Sequence, residues 1–466
     1  MNSQSLALWR KGKPFTFDDP SVGREWTVHP FAYRLKTPEE GGLGEKGIHI
    51  DWEHVGWGWH QPSDIMEGKV LGVPRLSDTL RRSYFEADFP HPAGKVLAAQ
   101  LDKLQNDHES GSRQLTTIAL KGFRDFISSM PAPSDLSSWW GTVRLGSWHL
   151  AKNGRESMGA AILNALLHIL KDVDHTLQQH DKDADKLKDD ILAVVDKHID
   201  ARYSITERIT DHLVEYLLSH SLSGSEKRQS LRVLTLSSSS TIRDSIVDVF
   251  AKLDVPTLDL RILESRPLYE GVTLATSVIS QFNHRFGSSK DKHLKVSIFT
   301  DSTIVPAAED ADVLLIGADR ISSANGVSNK IGSLPTALCA KYATNDKICT
   351  VVVTDSDKIS PTFEGETTNE ENDPAEVTAS WRDAHLKNFD VLDKSLPGSS
   401  AASKADGAGS DQKPLVNVAV RNIYFEWVPL KFINAIVCEE GILGSNTIET
   451  LSKNISDNVD KYFAKL

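Results

Sequence analysis

The sequence predicts an α/β chain in which a helical half precedes a parallel-sheet half, with a small β-rich segment in front of both. Three observations predict it. From residue 231 onward, short β-branched runs alternate with helical patterns, the signature of βαβ units and a parallel sheet. Between 95 and 220, apolar side chains recur at i, i+3, i+4 and i+7, which is the periodicity of amphipathic helices. Residues 1–85 hold Trp9, Trp26, Trp52, Trp57 and Trp59, half of the ten tryptophans of the chain, among alternating polar and apolar residues.

In chain order, WTVHPFAYRL (26–35) reads as one strand and GIHIDWEHVGWGW (47–59) as a second strand running into a turn. AGKVLAAQLDKL, LTTIALKGFRDFISSM and ESMGAAILNALLHILKDV read as helices. KDADKLKDDILAVVDKHID continues them with a charged, solvated outer face. This sets a helical subdomain at 95–225. LRVLTL, TLDLRIL, LKVSIFT, DVLLIGAD and KICTVVVTD are the expected buried strands of a subdomain at 230–466. RNIYFEWVP and LKFINAIVCEEGI are expected to supply its last strand and an apolar helix suited to a dimer interface. NEENDP and SLPGSSAASKADGAGSDQKP break the rhythm, so 361–414 is expected to be a disordered surface insertion.

The 466 residues fit two or three domains of ~150 residues. With 39% hydrophobic and 25% charged residues, the chain can build a core. A net charge of −12 argues against a broad nucleic-acid or anionic-membrane surface, since both need clustered Lys and Arg. Cys339, Cys349 and Cys438 lack the spacing of a zinc site or a disulfide framework and read as reduced thiols. MNSQSLALWRKGKPF has no apolar signal-type stretch, and no run of about 18 apolar residues occurs. A cytoplasmic protein is expected.

In an open parallel sheet, ligands sit at the carboxyl ends of the strands, near the point where strand order reverses. After LRVLTL come Ser237, Ser238, Ser239, Ser240 and Thr241, hydroxyls and amides entering a helix N-terminus. They read equally as a phosphate cradle and as an ordinary N-cap. After TLDLRIL comes Arg266, able to fork onto a phosphate or to pair with Glu264 and hold the turn. After DVLLIG come Asp319 and Arg320, then Asn329 and Lys330. A carboxylate, an amide and an ammonium there can move a proton while a phosphate is held, or can simply cap a loop. After KICTVVVTD comes Lys358, a second candidate for anion binding.

Taken in order, ESRPLYEG, GADRISSANGVSNKIGS and IYFEWVPLKFINAIVCEEGIL resemble the signature of the eukaryotic initiation factor 2B alpha/beta/delta family. That family also includes methylthioribose-1-phosphate isomerase and ribose-1,5-bisphosphate isomerase. NDHESGSRQLTTIAL (106–120) resembles its early helix, and GRESMGAAILNAL (154–166) its Arg-containing helix start. The resemblance covers roughly 95–460. It implies a helical subdomain and a Rossmann-like subdomain with a sugar phosphate held between them. Ser110, Gly111, Ser112, Arg155, Ser238, Ser239, Ser240, Arg266, Asn329, Lys330 and Lys358 then become candidate binding residues. In the isomerases, a Cys after the first Rossmann strand and the Asp of the GAD motif interconvert aldose and ketose phosphates, with no metal or nicotinamide. The Asp position is Asp319. The Cys position falls on Ser237. A thiol can titrate near neutrality, whereas a serine hydroxyl needs a strong adjacent base, and no histidine neighbours Ser237 in sequence.

The resemblance therefore implies two competing functions. One is a regulatory or assembly subunit, of the kind used in translation initiation, that binds a phosphorylated sugar or nucleotide and forms homodimers or hetero-oligomers with related subunits. The other is an aldose-ketose isomerase using Asp319. The N-terminal segment is similar to the second half of a Nudix domain, ending in a W-x-x-P-x-x-I-like element. Asp51 and Glu53 alone cannot replace the glutamate-rich box that holds magnesium in those hydrolases. The segment is therefore expected to be a non-catalytic remnant or a piece of a longer domain; a Nudix-type hydrolase is the third function the resemblances offer, and the missing box speaks against it.

Overall fold

A computed structural model describes residues 5–107, 110–155, 159–179, 184–222, 228–237, 239–287, 289, 291–362, 371–396, 416 and 418–466. The chain divides into two units, Met1–Ser204 with Lys453–Leu466, and Ile205–Ser452.

The first unit opens with β1 (Leu6–Lys11), β2 (Phe15–Asp19), β3 (Arg24–Val28) and β4 (Phe31–Leu35). The stretch expected to be one strand is two. Pro30 has no N–H and restricts His29, so the chain breaks there. β3 pairs with β2, and β4 pairs antiparallel with β1. No strand forms over 47–59. The Asp51 carboxylate accepts the Glu53 N–H at 3.1 Å and meets His54 Nδ1 at 2.5 Å, a local turn that competes with a ladder.

Next come α1 (Pro62–Met66), α2 (Leu76–Ser83), α3 (Ala93–Asn106), α4 (Ser112–Ser129), α5 (Leu136–Asn153), α6 (Gly159–Gln179) and α7 (Ala184–Ala201). α4 is central and packs against α3, α5, α6 and α7. Its Leu115, Ala119, Leu120, Phe123, Phe126 and Ile127 are buried at helical spacing. The β-rich segment belongs to this unit. The Arg10 guanidinium lies 4.1 Å from the Trp9 ring centroid and 4.4 Å from that of Phe85, and Arg10 reaches the Glu86 carboxylate at 2.5 Å. Asn153, at the end of α5, binds both the N–H and the carbonyl of Lys11.

The second unit contains α8 (Ile205–Ser219), β5 (Ser230–Thr235), α9 (Ser240–Lys252), β6 (Thr257–Leu263), α10 (Glu270–Phe286), β7 (His293–Phe299), α11 (Ile304–Ala308), β8 (Val313–Ile316), β9 (Arg320–Ser322), β10 (Gly326–Lys330), α12 (Ser333–Ala343) and β11 (Cys349–Val353). It continues with α13 (Pro374–Asp383), α14 (Phe389–Asp393), β12 (Phe425–Val428), β13 (Ala435–Cys438) and β14 (Gly441–Leu443). α15 (Ser445–Phe463) begins in this unit and ends in the first. The seven-stranded sheet has the order β14-β13-β11-β8-β5-β6-β7, and every pairing is parallel except that of β14. α8, α9 and α10 bury their apolar faces on one side of it in a single core. β9, β10 and β12 form a separate antiparallel sheet.

Three further expectations need correction. The helix α8 belongs with the sheet, because Ile205, Ile209, Leu213, Tyr216 and Leu217 are part of its core; periodicity marks a helix but not its partner. LKFINAIVCEEGI is not a helix. Its AIVC run is fully buried and forms β13, fastened to β11 where Asn434 exchanges N–H and Oδ1 contacts with Thr350. The terminal helix is instead the following α15. Finally, 361–414 is not disordered throughout, since 371–396 carry α13 and α14. Asp373 caps α13, accepting the Ala375 N–H at 2.8 Å, and Pro374 takes its first position, so the Asp-Pro pair starts a helix. Residues 363–370 and 397–415 lie outside the described residues.

Candidate functional site

After β5 the chain goes out through β6 and β7, then returns to β8 on the other side of β5. The order reverses between β5 and β8, and their carboxyl ends meet there. Ser237 is buried at that seam. Its Oγ accepts the Gly317 N–H from the end of β8 at 3.2 Å and the Ser239 N–H at 3.3 Å. A Cβ on Gly317 would stand 2.8 Å from both Ser237 Oγ and Ser239 Cβ, so this close approach requires glycine. Ser239 is the N-cap of α9 with no side-chain cap bond, and Ser240 is its first residue. The first N–H groups of α9 thus lie at the switch point, where a helix favours an anion. Ser238 lies outside the described residues.

Arg266 follows β6 in a loop with a cis Arg266-Pro267 bond and Ser265 in the left-handed region. Asp301, just past β7, holds this loop. Its two carboxylate oxygens accept the N–H of Ser265 at 2.9 Å and of Arg266 at 2.8 Å. Ser265 Oγ donates to the Leu236 carbonyl at 2.6 Å, tying the loop to the end of β5. The Arg266 guanidinium does not pair with Glu264. It donates to Ser380 Oγ on α13 and lies 5.7 Å from the Tyr269 ring centroid.

Asp319 follows β8, and its N–H donates to the Ser328 carbonyl at 2.8 Å. Within GADRISSANGVSNK, β9 and β10 form a hairpin turned at Ser323, Ala324 and Asn325, with Gly326 opposite Ser322. It places Asn329 and Lys330 on a strand, both buried. Asn329 Nδ2 donates to Ser333 Oγ at 2.8 Å. Lys330 ion-pairs with Glu270 at the start of α10 and lies 4.6 Å over the Tyr424 ring. Lys358, beyond β11, is buried and donates to the Ala318 carbonyl beside Asp319.

Ser237, Ser239, Ser240, Arg266, Asp319 and Lys358 therefore all stand beyond the carboxyl ends of their strands, with Lys330 on the hairpin that follows β8. The remaining candidates belong to the first unit. Gly111 is the N-cap of α4, and Ser112 is its buried first residue. Asp107 draws two of them to one turn: its Oδ1 accepts the Ser110 N–H at 2.8 Å, and its carbonyl accepts Arg155 Nη1 at 3.2 Å.

Asp301, Glu270, Ser380, Glu426 and Glu439 escaped sequence reasoning. Glu426 Oε1 accepts the N–H groups of Gly332 at 2.6 Å and Leu334 at 3.1 Å, so the N-terminus of α12 already holds a carboxylate. Burial pushes the Glu426 carboxyl up, against the pull of those N–H groups. Glu439, after β13, accepts the Ser356 N–H and Oγ, and burial raises it too. The acidic residue after each strand was a usable signal for Asp301. Glu439 carries the same mark, hidden because β13 reads as a helix in the sequence; Glu270, Ser380 and Glu426 are long-range partners with no local mark.

Chemically, the edge offers cations for an anion, a carboxylate at Asp319, and a hydroxyl at Ser237 that accepts two backbone N–H groups. No cluster of three or more His, Cys, Asp or Glu placed to hold a metal ion occurs among the described residues. No helix among them is long and apolar enough to cross a membrane.

The sequence model of the Initiation factor 2 subunit family matches residues 156–445, more than half of the chain. The chain belongs to that family. Within the initiation factor 2 subunit family, it is similar to methylthioribose-1-phosphate isomerase of Rhodopirellula baltica, 26% identical over 184 residues, covering 39% of this chain and 41% of the relative. It is also similar to methylthioribose-1-phosphate isomerase of Bacillus pumilus, 25% identical over 206 residues, with 43% and 47% covered. The chain thus matches less than half the length of these relatives. Among solved structures, the translation initiation factor eIF-2B of Pyrococcus horikoshii is 18% identical with a TM-score of 0.48, covering 74% of this chain and 96% of that one. The eIF2B-beta2-delta2 complex of C. thermophilum is 14% identical with a TM-score of 0.48, covering 75% and 91%.

Proposed function

We propose that this member of the initiation factor 2 subunit family binds a phosphorylated sugar or nucleotide at the carboxyl edge of its seven-stranded sheet and acts as a regulatory or assembly subunit. The observation that carries this reading is the convergence at the β5–β8 switch point. Ser237 bridges the two strands there, and Arg266, Lys330 and Lys358 stand on the segments that follow β6, β8 and β11. Ser237 supports binding over turnover. A serine hydroxyl needs a strong adjacent base to ionise near neutrality, and no histidine is bonded to Ser237 Oγ among the described contacts. Cytoplasmic homodimers, or hetero-oligomers with related subunits in translation initiation, complete this reading.

The second reading is an aldose-ketose isomerase of ribose 1,5-bisphosphate or methylthioribose 1-phosphate. It is favoured by Asp319 at the GAD position and by relatives named as isomerases. The N-terminal segment is read as a non-catalytic, Nudix-like remnant, in which Asp51 and Glu53 serve a local turn. Incubation of the purified protein with each sugar phosphate, followed by detection of the ketose, separates the readings. The binding reading expects no ketose above background. Ketose formation that Asp319→Asn abolishes would replace it with the isomerase.

A further inference from the structure

Two of the three cations that would grip a phosphate, Arg266 and Lys330, are already engaged, and α13 meets the first directly and the second through Tyr424. Ser380 of α13 holds the Arg266 guanidinium. Lys330 is clasped between Glu270 and the Tyr424 ring, and the Tyr424 hydroxyl donates to Glu376 of the same α13. Asn422 seats that helix, donating to Glu376 Oε2 at 2.8 Å and to the Asp373 carbonyl at 2.7 Å. α13 also buries Thr378 and is capped at its start by Asp373, so it is a formed element.

We infer that α13 sets the specificity of the site, with Ser380 occupying Arg266 until a phosphate monoester displaces it. The inference rests on the binding reading above. A neutral hydroxyl gives Arg266 one hydrogen bond, whereas a phosphate dianion offers a forked, charge-assisted pair, which is stronger. A dianion therefore displaces Ser380. A carboxylate or phosphodiester carries a single negative charge and competes less well. Arg266 is thereby kept for ligands with a terminal phosphate. Ser380 acts through Arg266 and is a positioning residue.

Calorimetry with inorganic phosphate, ribose 5-phosphate and acetate on the full chain tests this, using wild type, Ser380→Ala, Ser380→Thr and Arg266→Ala. Ser380→Ala is expected to bind phosphate about fivefold tighter, the worth of one lost competing hydrogen bond, and to gain affinity for acetate. Ser380→Thr, which restores the hydroxyl, should return to wild-type affinity. Hydrogen exchange in α13 should rise on adding phosphate to wild type and stay unchanged in Arg266→Ala. Unchanged or weaker binding by Ser380→Ala, with Arg266→Ala still impaired, would overturn the role of α13 and leave the binding site standing. Phosphate binding that is absent, or equal in wild type and Arg266→Ala, would overturn both.

Discussion

Arg266 and Lys330 differ in how they are held, and this sets what their loss should do. Arg266 rests on Ser380 and on the Asp301 clamp of its own backbone, so truncation to alanine removes a ligand contact with little effect on the fold. Lys330 is buried against Glu270, so its loss also leaves a carboxylate without its cation. Both Arg266→Ala and Lys330→Ala are expected to weaken sugar-phosphate binding by about 1–3 kcal/mol in calorimetry, the range for a charged hydrogen bond. Only Lys330→Ala should also lower the unfolding temperature. The residue types and their order were legible in the sequence because each follows a recognisable buried strand. Their partners were not. Ser380 is 114 positions from Arg266, and Glu270 is 60 from Lys330, distances at which local pattern carries no information.

At the scale of elements, the βαβ rhythm was readable because each of these buried parallel strands is a short, mostly apolar run set between helical patterns. LRVLTL, TLDLRIL, DVLLIGAD and KICTVVVTD became β5, β6, β8 and β11. The N-terminal strands were harder, since their neighbours decide them. β1 is held by α5 through Asn153 and by the Arg10–Glu86 pair. Beside it lies His149 of α5, fully buried, its ring tilted 54° against that of Phe85 at 4.5 Å and bonded to Asn153 at 2.9 Å. Burial, with Arg10 nearby, lowers the His149 imidazole to about 3. An unfolded histidine titrates at about 6.5, so below that pH the unfolded chain binds a proton that the folded chain refuses. The stability His149 gives is complete above pH 6.5 and is lost as pH falls from there toward 3. Thermal unfolding of the first unit should therefore fall steeply with acidification over that window. His149→Phe should flatten the slope, and an equal slope in both proteins would contradict the assignment.

For the whole molecule, the division into units at Ser204 and again at Ser452 was not legible. Helical periodicity runs unbroken from α7 into α8, and α15 is one helix whose ends serve different cores. What the sequence did carry is the order of chemistry along the sheet edge, and that order is what makes a single ligand footprint possible. Hydrogen-exchange mass spectrometry of the full chain, with and without saturating ribose 5-phosphate, shows whether one ligand spans the carboxyl edge of the sheet. Protection is expected just past β5, in the loop of Ser265 and Arg266 after β6, in the β9–β10 hairpin after β8 and in the turn at Lys358 after β11, with α13 the one neighbouring element that exchanges faster. Protection confined to other parts of the chain, or no protection at saturation, would contradict it.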